Sequence, residues 1–243
     1  MGVGNDDYHK SLFAYNSGKS EKGWASSFLL SRTAGSMYAN GTEFEGYNYY
    51  FALGYQKPND KHNFQFTITE APQWHNQRSS YISIANSVLN NTDKDGTPNI
   101  KYNSDWGYRN GEEFSNRVNY YHKPIMSLNW DWKMSEKSKL NSVFYASFGR
   151  GGGTGDLGTV KVGNTTYSNL NAFPRTADGL INFDGLFAAN AGINANTAGA
   201  RNTLVRRSSI NSHNWFGTII SFNHKINNHL NFTIGTDDRN YYR

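Results

Sequence analysis

Aromatic rings and a guanidinium set in a polar stretch are the residues of this chain best suited to bind something. Between Gln73 and Asn119, Trp74, His75, Trp106, Tyr108 and Arg109 stand among Asn, Ser and Gly. Aromatic faces stack on sugars and apolar groups, and an arginine fork grips carboxylate or phosphate. The same rings could instead anchor the loop by packing, since loops carry both function and their own contacts. Two other motifs fall short of their chemistry. The run Gly149-Arg-Gly-Gly-Gly-Thr-Gly155 offers backbone amides for an anion, but it lacks the Lys-Ser/Thr of a phosphate loop and the βαβ unit of a dinucleotide fold. It is expected to be a flexible loop above a strand end. Asp93-Lys-Asp-Gly96 looks like half a calcium loop, yet the twelfth position from Asp93 is Ser104, where a bidentate Glu is needed. It reads as a solvated turn.

The histidines show no metal-binding spacing, and nothing pairs a nucleophile with a base or two carboxylates. The chain is therefore expected to be no enzyme and to hold no metal or cofactor. With no cysteine, disulfides and thiolate chemistry are excluded. The formal charge of +5 is scattered among turns and forms no basic stripe with base-stacking aromatics, so nucleic acid is not an expected partner.

The elements that must position the aromatic loop are strands. From Tyr47 to Tyr55, Tyr47, Tyr49, Phe51, Leu53 and Tyr55 alternate with Asn48, Tyr50, Ala52 and Gly54. After the turn at Lys57-Pro-Asn-Asp-Lys-His62, Phe64, Phe66 and Ile68 alternate with Gln65, Thr67 and Thr69. Similar patterns cover Tyr8 to Asn16, Trp24 to Thr33, Pro124 to Lys133, Lys139 to Phe148, Trp215 to Asn223 and Leu230 to Asp237. About eight strands thus emerge, joined by short turns at Ser17 to Gly23, Lys57 to His62, Met134 to Ser138 and Lys225 to His229. The connections between these hairpins are long, and two of them, Gln73 to Asn119 and Gly149 to about Ser209, read as irregular apart from a short helix near Asp184 to Asn190.

One face of these strands is apolar and aromatic; the other is small, neutral and polar, with charges confined to turns. A soluble sandwich usually puts Lys and Glu on its wet side. Aromatic content of 15% beside charged content of 18% suits a β protein with interfacial aromatics. No window approaches eighteen apolar residues, so no transmembrane helix is expected. A strand of about ten residues, rising ~3.3 Å each and tilted roughly 40°, covers ~25 Å of membrane normal. The expected fold is all-β, an antiparallel transmembrane β-barrel wall with short periplasmic turns and long extracellular loops. Tyr47, Tyr49, Tyr55, Trp130 and Trp132 are assigned to its membrane girdle.

The chain resembles the TonB-dependent receptors of Bacteroidota outer membranes, whose barrels are related to SusC-like transporters. The strings that carry the resemblance are Gly23-Trp24, Lys57 to Phe64, Ala71-Pro-Gln-Trp-His-Asn-Gln77, Tyr121-His-Lys-Pro124, Leu128-Asn-Trp-Asp-Trp132 and Tyr145 to Gly155. The resemblance covers essentially residues 1–243 as one partial barrel domain. It implies a barrel of about 22 strands around an N-terminal plug, importing a scarce nutrient such as a siderophore, haem, oligosaccharide or peptide. It further implies the TonB complex as a partner through that plug, outer-membrane lipid around the wall, and a SusD-like surface lipoprotein as a candidate partner. The opening Met1-Gly-Val-Gly-Asn-Asp-Asp lacks a secretory signal, and no plug is recognised, so the chain is expected to be a fragment of about eight strands. Asn48, Tyr50, Gln65, Thr67, Asn129, Ser221, Asn223 and Thr233 are expected to face the plug. The rival expectations are a self-contained small barrel with a structural or adhesive role and a secreted carbohydrate-binding β-sandwich.

Overall fold

The computed structural model describes residues 1–58, 60–193 and 203–243. Position 59 of the expected turn after Tyr55, and positions 194–202 of the expected second loop, lie outside the described residues. The protein is all-β and mostly antiparallel, with 58% strand and 6% helix. In chain order its elements are β1 (Gly2–Val3), β2 (His9–Asn16), β3 (Trp24–Ser36), β4 (Glu43–Tyr55), β5 (His62–Glu70), β6 (Gln73–Asn76), α1 (Ile84–Leu89), β7 (Trp106–Arg109) and β8 (Glu112–Ser115). There follow β9 (Val118–His122), β10 (Ile125–Lys133), β11 (Ser138–Gly158), β12 (Val160–Val162), β13 (Thr165–Tyr167), β14 (Ile181–Asn182), α2 (Phe183–Ala191), β15 (Leu204–Lys225) and β16 (Asn231–Tyr242).

An eleven-stranded sheet organises the molecule, in the order β1-β2-β3-β4-β5-β10-β11-β15-β16, with β6 joined to β4 and β9, and β9 to β11. The eight alternating segments of the sequence are β2, β3, β4, β5, β10, β11, β15 and β16. Among the described residues no pairing closes β1 onto β16. Register carries the alternation across the sheet. On one face Phe28, Phe51, Ile68, Met126, Ala146 and Phe216 lie side by side; on the other, Ser27, Ala52, Thr67, Ser127, Tyr145 and Gly217 do.

Prolines interrupt the ladder at its centre. The pairing Thr69 with Ile125 continues in the same register to Gln73 with Tyr121, so β6 prolongs β5 beyond Ala71-Pro72, and β9 precedes β10 before Lys123-Pro124. A proline has no N–H for the ladder, and this register sets Glu70 opposite Pro124. The buried Glu70 carboxylate takes the hydroxyl of Tyr49 at 2.7 Å and the backbone N–H of Lys123 at 2.5 Å.

The described residues of both expected irregular regions prove to be largely folded. The first contains β6, α1, β7, β8 and β9. The second is shortened from each end, because β11 runs on through Gly149 to Gly155 and β15 begins at Leu204. The glycine run is strand because it is crowded on both sides, by β9 and β15. A Cβ on Gly151 would lie 2.7 Å from Cβ of Tyr121 and 2.8 Å from the Tyr120 carbonyl oxygen, so absent side chains let three backbones approach.

The buried apolar cluster lies in a cap at the long-connection end of the sheet: Val160, Leu170, Phe173, Ile181, Phe183, Leu186 and Leu204, with Phe114 packed against it. The small sheet β14-β7-β8 belongs to this cap. The expected helix near Asp184 is α2, whose N-terminus is capped by Asn182 accepting the Gly185 N–H at 2.8 Å. No helix among the described residues is long and apolar enough to cross a membrane, which says nothing of strands.

Candidate functional site

The five candidate ligand residues fall into two places. Trp106, Tyr108 and Arg109 are on β7, which turns through Asn110-Gly111, both at positive φ, into β8. Its other edge pairs in parallel with β14, so α2 starts beside Tyr108. This brings Asp184 to Arg109: the guanidinium and carboxylate meet at 2.5 Å, and the Asn110 N–H donates to the same oxygen at 3.1 Å. That backbone donor, then Arg109, holds the Asp184 carboxyl below its usual range. The Arg109 guanidinium also lies 4.3 Å from the ring centre of Phe187. Its fork is therefore partly engaged with α2, while remaining at the surface.

Trp106 is buried, against the backbone of Gly41, and its indole N–H has no hydrogen-bond partner among the described residues. Tyr108, 5.3 Å away ring to ring, is exposed. Facing Tyr108 across the hairpin is Glu113, whose carboxyl burial, then the charge of Glu43, push above the ordinary value. The chemistry at the surface of this part of the cap is thus one phenol, one half-buried arginine and four acids, Glu43, Glu112, Glu113 and Asp184.

Trp74 and His75 are instead in β6, part of the large sheet. Trp74 donates to Glu45 at 3.4 Å, and Glu45 also receives Arg32 at 2.6 Å and the Tyr47 hydroxyl at 2.7 Å. His75 pairs in register with Phe44 and Asn119. The Glu45 cluster was missed in the sequence; its signal was an acid breaking the apolar alternation just before Tyr47.

Tyr47, Tyr49, Tyr55, Trp130 and Trp132, the residues expected at a membrane girdle, share the aromatic face and stand at two levels. Near the short turns, Trp24 meets Tyr55 at 4.5 Å, Phe64 lies parallel to Trp130 at 6.2 Å, and Trp130 stacks on Trp132 at 6.0 Å. The Trp130 indole donates to His62 at 3.1 Å. Toward the cap, Tyr47 and Tyr49 reach Glu45 and Glu70 with their hydroxyls. Between these levels Phe51, Leu53, Phe66, Leu128, Phe144 and Phe216 are each 37–41% exposed.

Asn48, Tyr50, Gln65, Thr67, Asn129, Ser221, Asn223 and Thr233 share the opposite face. They are linked by side-chain bonds such as Asn48 to Ser31 at 3.1 Å and Thr233 to Asn223 at 2.8 Å. That face also carries a groove of about 560 Å³ whose lining includes Lys10, Asn48, Tyr50, Tyr121 and Lys123. At its β15–β16 end it carries larger groups: Trp215 lies 5.8 Å from Tyr241, with the Arg239 guanidinium 6.0 Å from the indole.

The Asp93 segment is a turn closed on itself. Asp95 Oδ1 accepts the Thr97 N–H and hydroxyl, each at 2.8 Å, and the Asn91 amide, so that oxygen is turned to the segment's own backbone and side chains. Among the described residues no group of three or more His, Asp or Glu is placed to hold a metal. Compared with protein-family models and with curated proteins, the sequence matches none.

Proposed function

We propose that the chain forms part of the wall, and the outer cap, of an outer-membrane TonB-dependent transporter for active uptake of a scarce nutrient. The observation that carries this reading is the uncovered aromatic face. Apolar side chains form a continuous band across the sheet, bounded on both sides by Trp and Tyr, and among the described residues no second sheet lies over them. Exposed apolar patches on soluble monomers seldom exceed a few hundred Å². In a bilayer the same band is matched to hydrocarbon, and the two aromatic levels to the interfaces.

The opposite face then looks inward to a plug, with Asn48, Gln65, Thr67 and Asn129 as its hydrogen-bonding lining. Through that plug the TonB complex would supply the energy, and a SusD-like lipoprotein could sit over the cap. The short turns are periplasmic and the cap is extracellular, so Tyr108 and Arg109 stand where cargo is first met. A carbohydrate-binding sandwich would need a second sheet on the aromatic face, which counts against that rival.

Reconstitution into lipid vesicles followed by protease tests the reading. Insertion leaves the sheet protected while the cap is cut within residues 77–117 or 156–193. A chain that stays monomeric in plain buffer and does not partition into vesicles would refute it.

A further inference from the structure

Toward the cap, a basic cross-strand row crosses the aromatic face, with Trp74, Tyr120 and the exposed Ile210 one pleat farther on. Arg32 pairs in register with Tyr47, the Tyr47 N–H donates to the Pro72 carbonyl at 2.9 Å, and His122 pairs with Arg150. The unbroken register across the proline sites makes these neighbours in one row. It lies one pleat, roughly 7 Å, beyond the row of Leu30, Tyr49, Glu70, Pro124 and Phe148 on the same face.

The two arginines and the histidine of that row differ in what meets them. Arg32 is bound to Glu45 at 2.6 Å, and also contacts His9 at 2.8 Å. His122 meets Glu70 at 2.6 Å. The Glu70 side chain is only 2% exposed and is also engaged by Tyr49 and Lys123, so its charge is held within the wall. Arg150 is exposed and has no acidic partner among the described residues. Its register partner on β15 is Ser212, a neutral hydroxyl. Directly below it Phe148 packs edge-on against Phe216 at 5.6 Å, both rings 40% exposed.

We propose that Arg150, with His122 and Ser212 on either side, binds the phosphate of an anionic membrane lipid whose acyl chains lie on Phe148 and Phe216. The proposal rests on the reading that the aromatic face meets the bilayer. An uncompensated guanidinium between Phe148 and the interfacial rings of Trp74 and Tyr120 is at headgroup depth, where its planar fork matches phosphate oxygens and a zwitterionic headgroup offers less net attraction. The two faces of the site, one cationic and one aromatic, demand a ligand with both a phosphate and a hydrocarbon tail.

The test is native mass spectrometry of the full chain in detergent micelles doped with dioctanoyl phosphatidic acid or dioctanoyl phosphatidylcholine. Phosphatidic acid should be retained in preference, and Arg150→Gln should weaken it about fivefold, the effect of one interfacial cation, with phosphatidylcholine unchanged. Arg150→Lys should restore part of the loss, and Arg239→Gln on the opposite face should have no effect. Inorganic phosphate at the same concentration should not displace the lipid. Equal retention of both lipids, an unaffected Arg150→Gln, an equal loss in Arg239→Gln, or displacement by inorganic phosphate would overturn the proposal. Vesicle insertion measured on the same preparation separates the two readings: insertion without lipid preference sinks the lipid site alone.

Discussion

The carboxylate of Glu70 accepts the backbone N–H of Lys123 at 2.5 Å, at the point where prolines interrupt both β5–β6 and β9–β10. A side chain thereby supplies an acceptor where the ladder is broken, and the same carboxylate meets Tyr49 and His122. Removing it strands a backbone donor and a tyrosine hydroxyl, both half-buried, beside the buried Glu70 site. Glu70→Ala should therefore cost about 2–3 kcal/mol in unfolding by denaturant from micelles, as the loss of charge-assisted buried hydrogen bonds does. Glu70→Gln, which keeps an acceptor oxygen, should cost less. Equal stability of Glu70→Ala and the parent protein would contradict this role.

The glycine run of β11 makes a sharper claim. Gly151→Leu would force a Cβ against Tyr121 and the Tyr120 carbonyl at 2.7–2.8 Å. The neighbours are backbone as well as side chain, so β9 must move away, at a cost of roughly 1–3 kcal/mol. Hydrogen exchange should speed up at the β9 amides while those of the β11–β15 ladder near Phe144 stay protected. Unchanged β9 protection would mean that the strands have more room than their register implies.

Opposite pH effects are expected within the cap. Asp184 has its carboxyl lowered by the Asn110 N–H and then by Arg109. Its contribution is present above the unfolded value of about 3.9 and is lost as pH falls through the lower folded value. Glu113 is raised, first by burial and then by Glu43. Its native environment favours the protonated form, so stability is lost as pH climbs from about 4.3 through the folded value. Asp184→Asn should accelerate exchange of the Asn110 amide at neutral pH and flatten its acid dependence below about pH 4. Glu113→Gln should slow exchange in β7 and β8 at neutral pH. Changes of the opposite sign would show the two acids to be misassigned.

The parts of the fold legible in the sequence are those where alternation survives. Phe64, Phe66 and Ile68 against Gln65 and Thr67 locate β5 and its faces directly, and likewise Trp130 and Trp132 against Asn129 and Asp131 for β10. Gly151, Gly152 and Gly153 have no side chains to alternate, so the continuation of β11 leaves no periodic signal. The cap is hidden for another reason. Leu170, Phe173, Ile181, Phe183 and Leu204 come together from irregular intervals, and a core assembled through turns has neither a period of two nor of 3.6. The candidate loop divided because Trp74 and His75 continue a strand past a proline, while Trp106 is buried by Gly41, from a distant part of the chain. Neither relationship is local in sequence.

The central claim, that one face of the sheet meets lipid and the other an aqueous or plug-filled interior, is tested most directly by spin labels. The protein has no cysteine, so single cysteines at Phe66 and Thr67, neighbours on opposite faces of β5, can be labelled cleanly. Collision with oxygen, which concentrates in hydrocarbon, and with a water-soluble nickel chelate is then measured in vesicles. The account predicts that the label at Phe66 meets oxygen and not nickel, that the label at Thr67 shows the reverse or is shielded from both, and that Leu128 and Ser127 repeat the contrast on β10. Equal nickel access at Phe66 and Thr67 would contradict it.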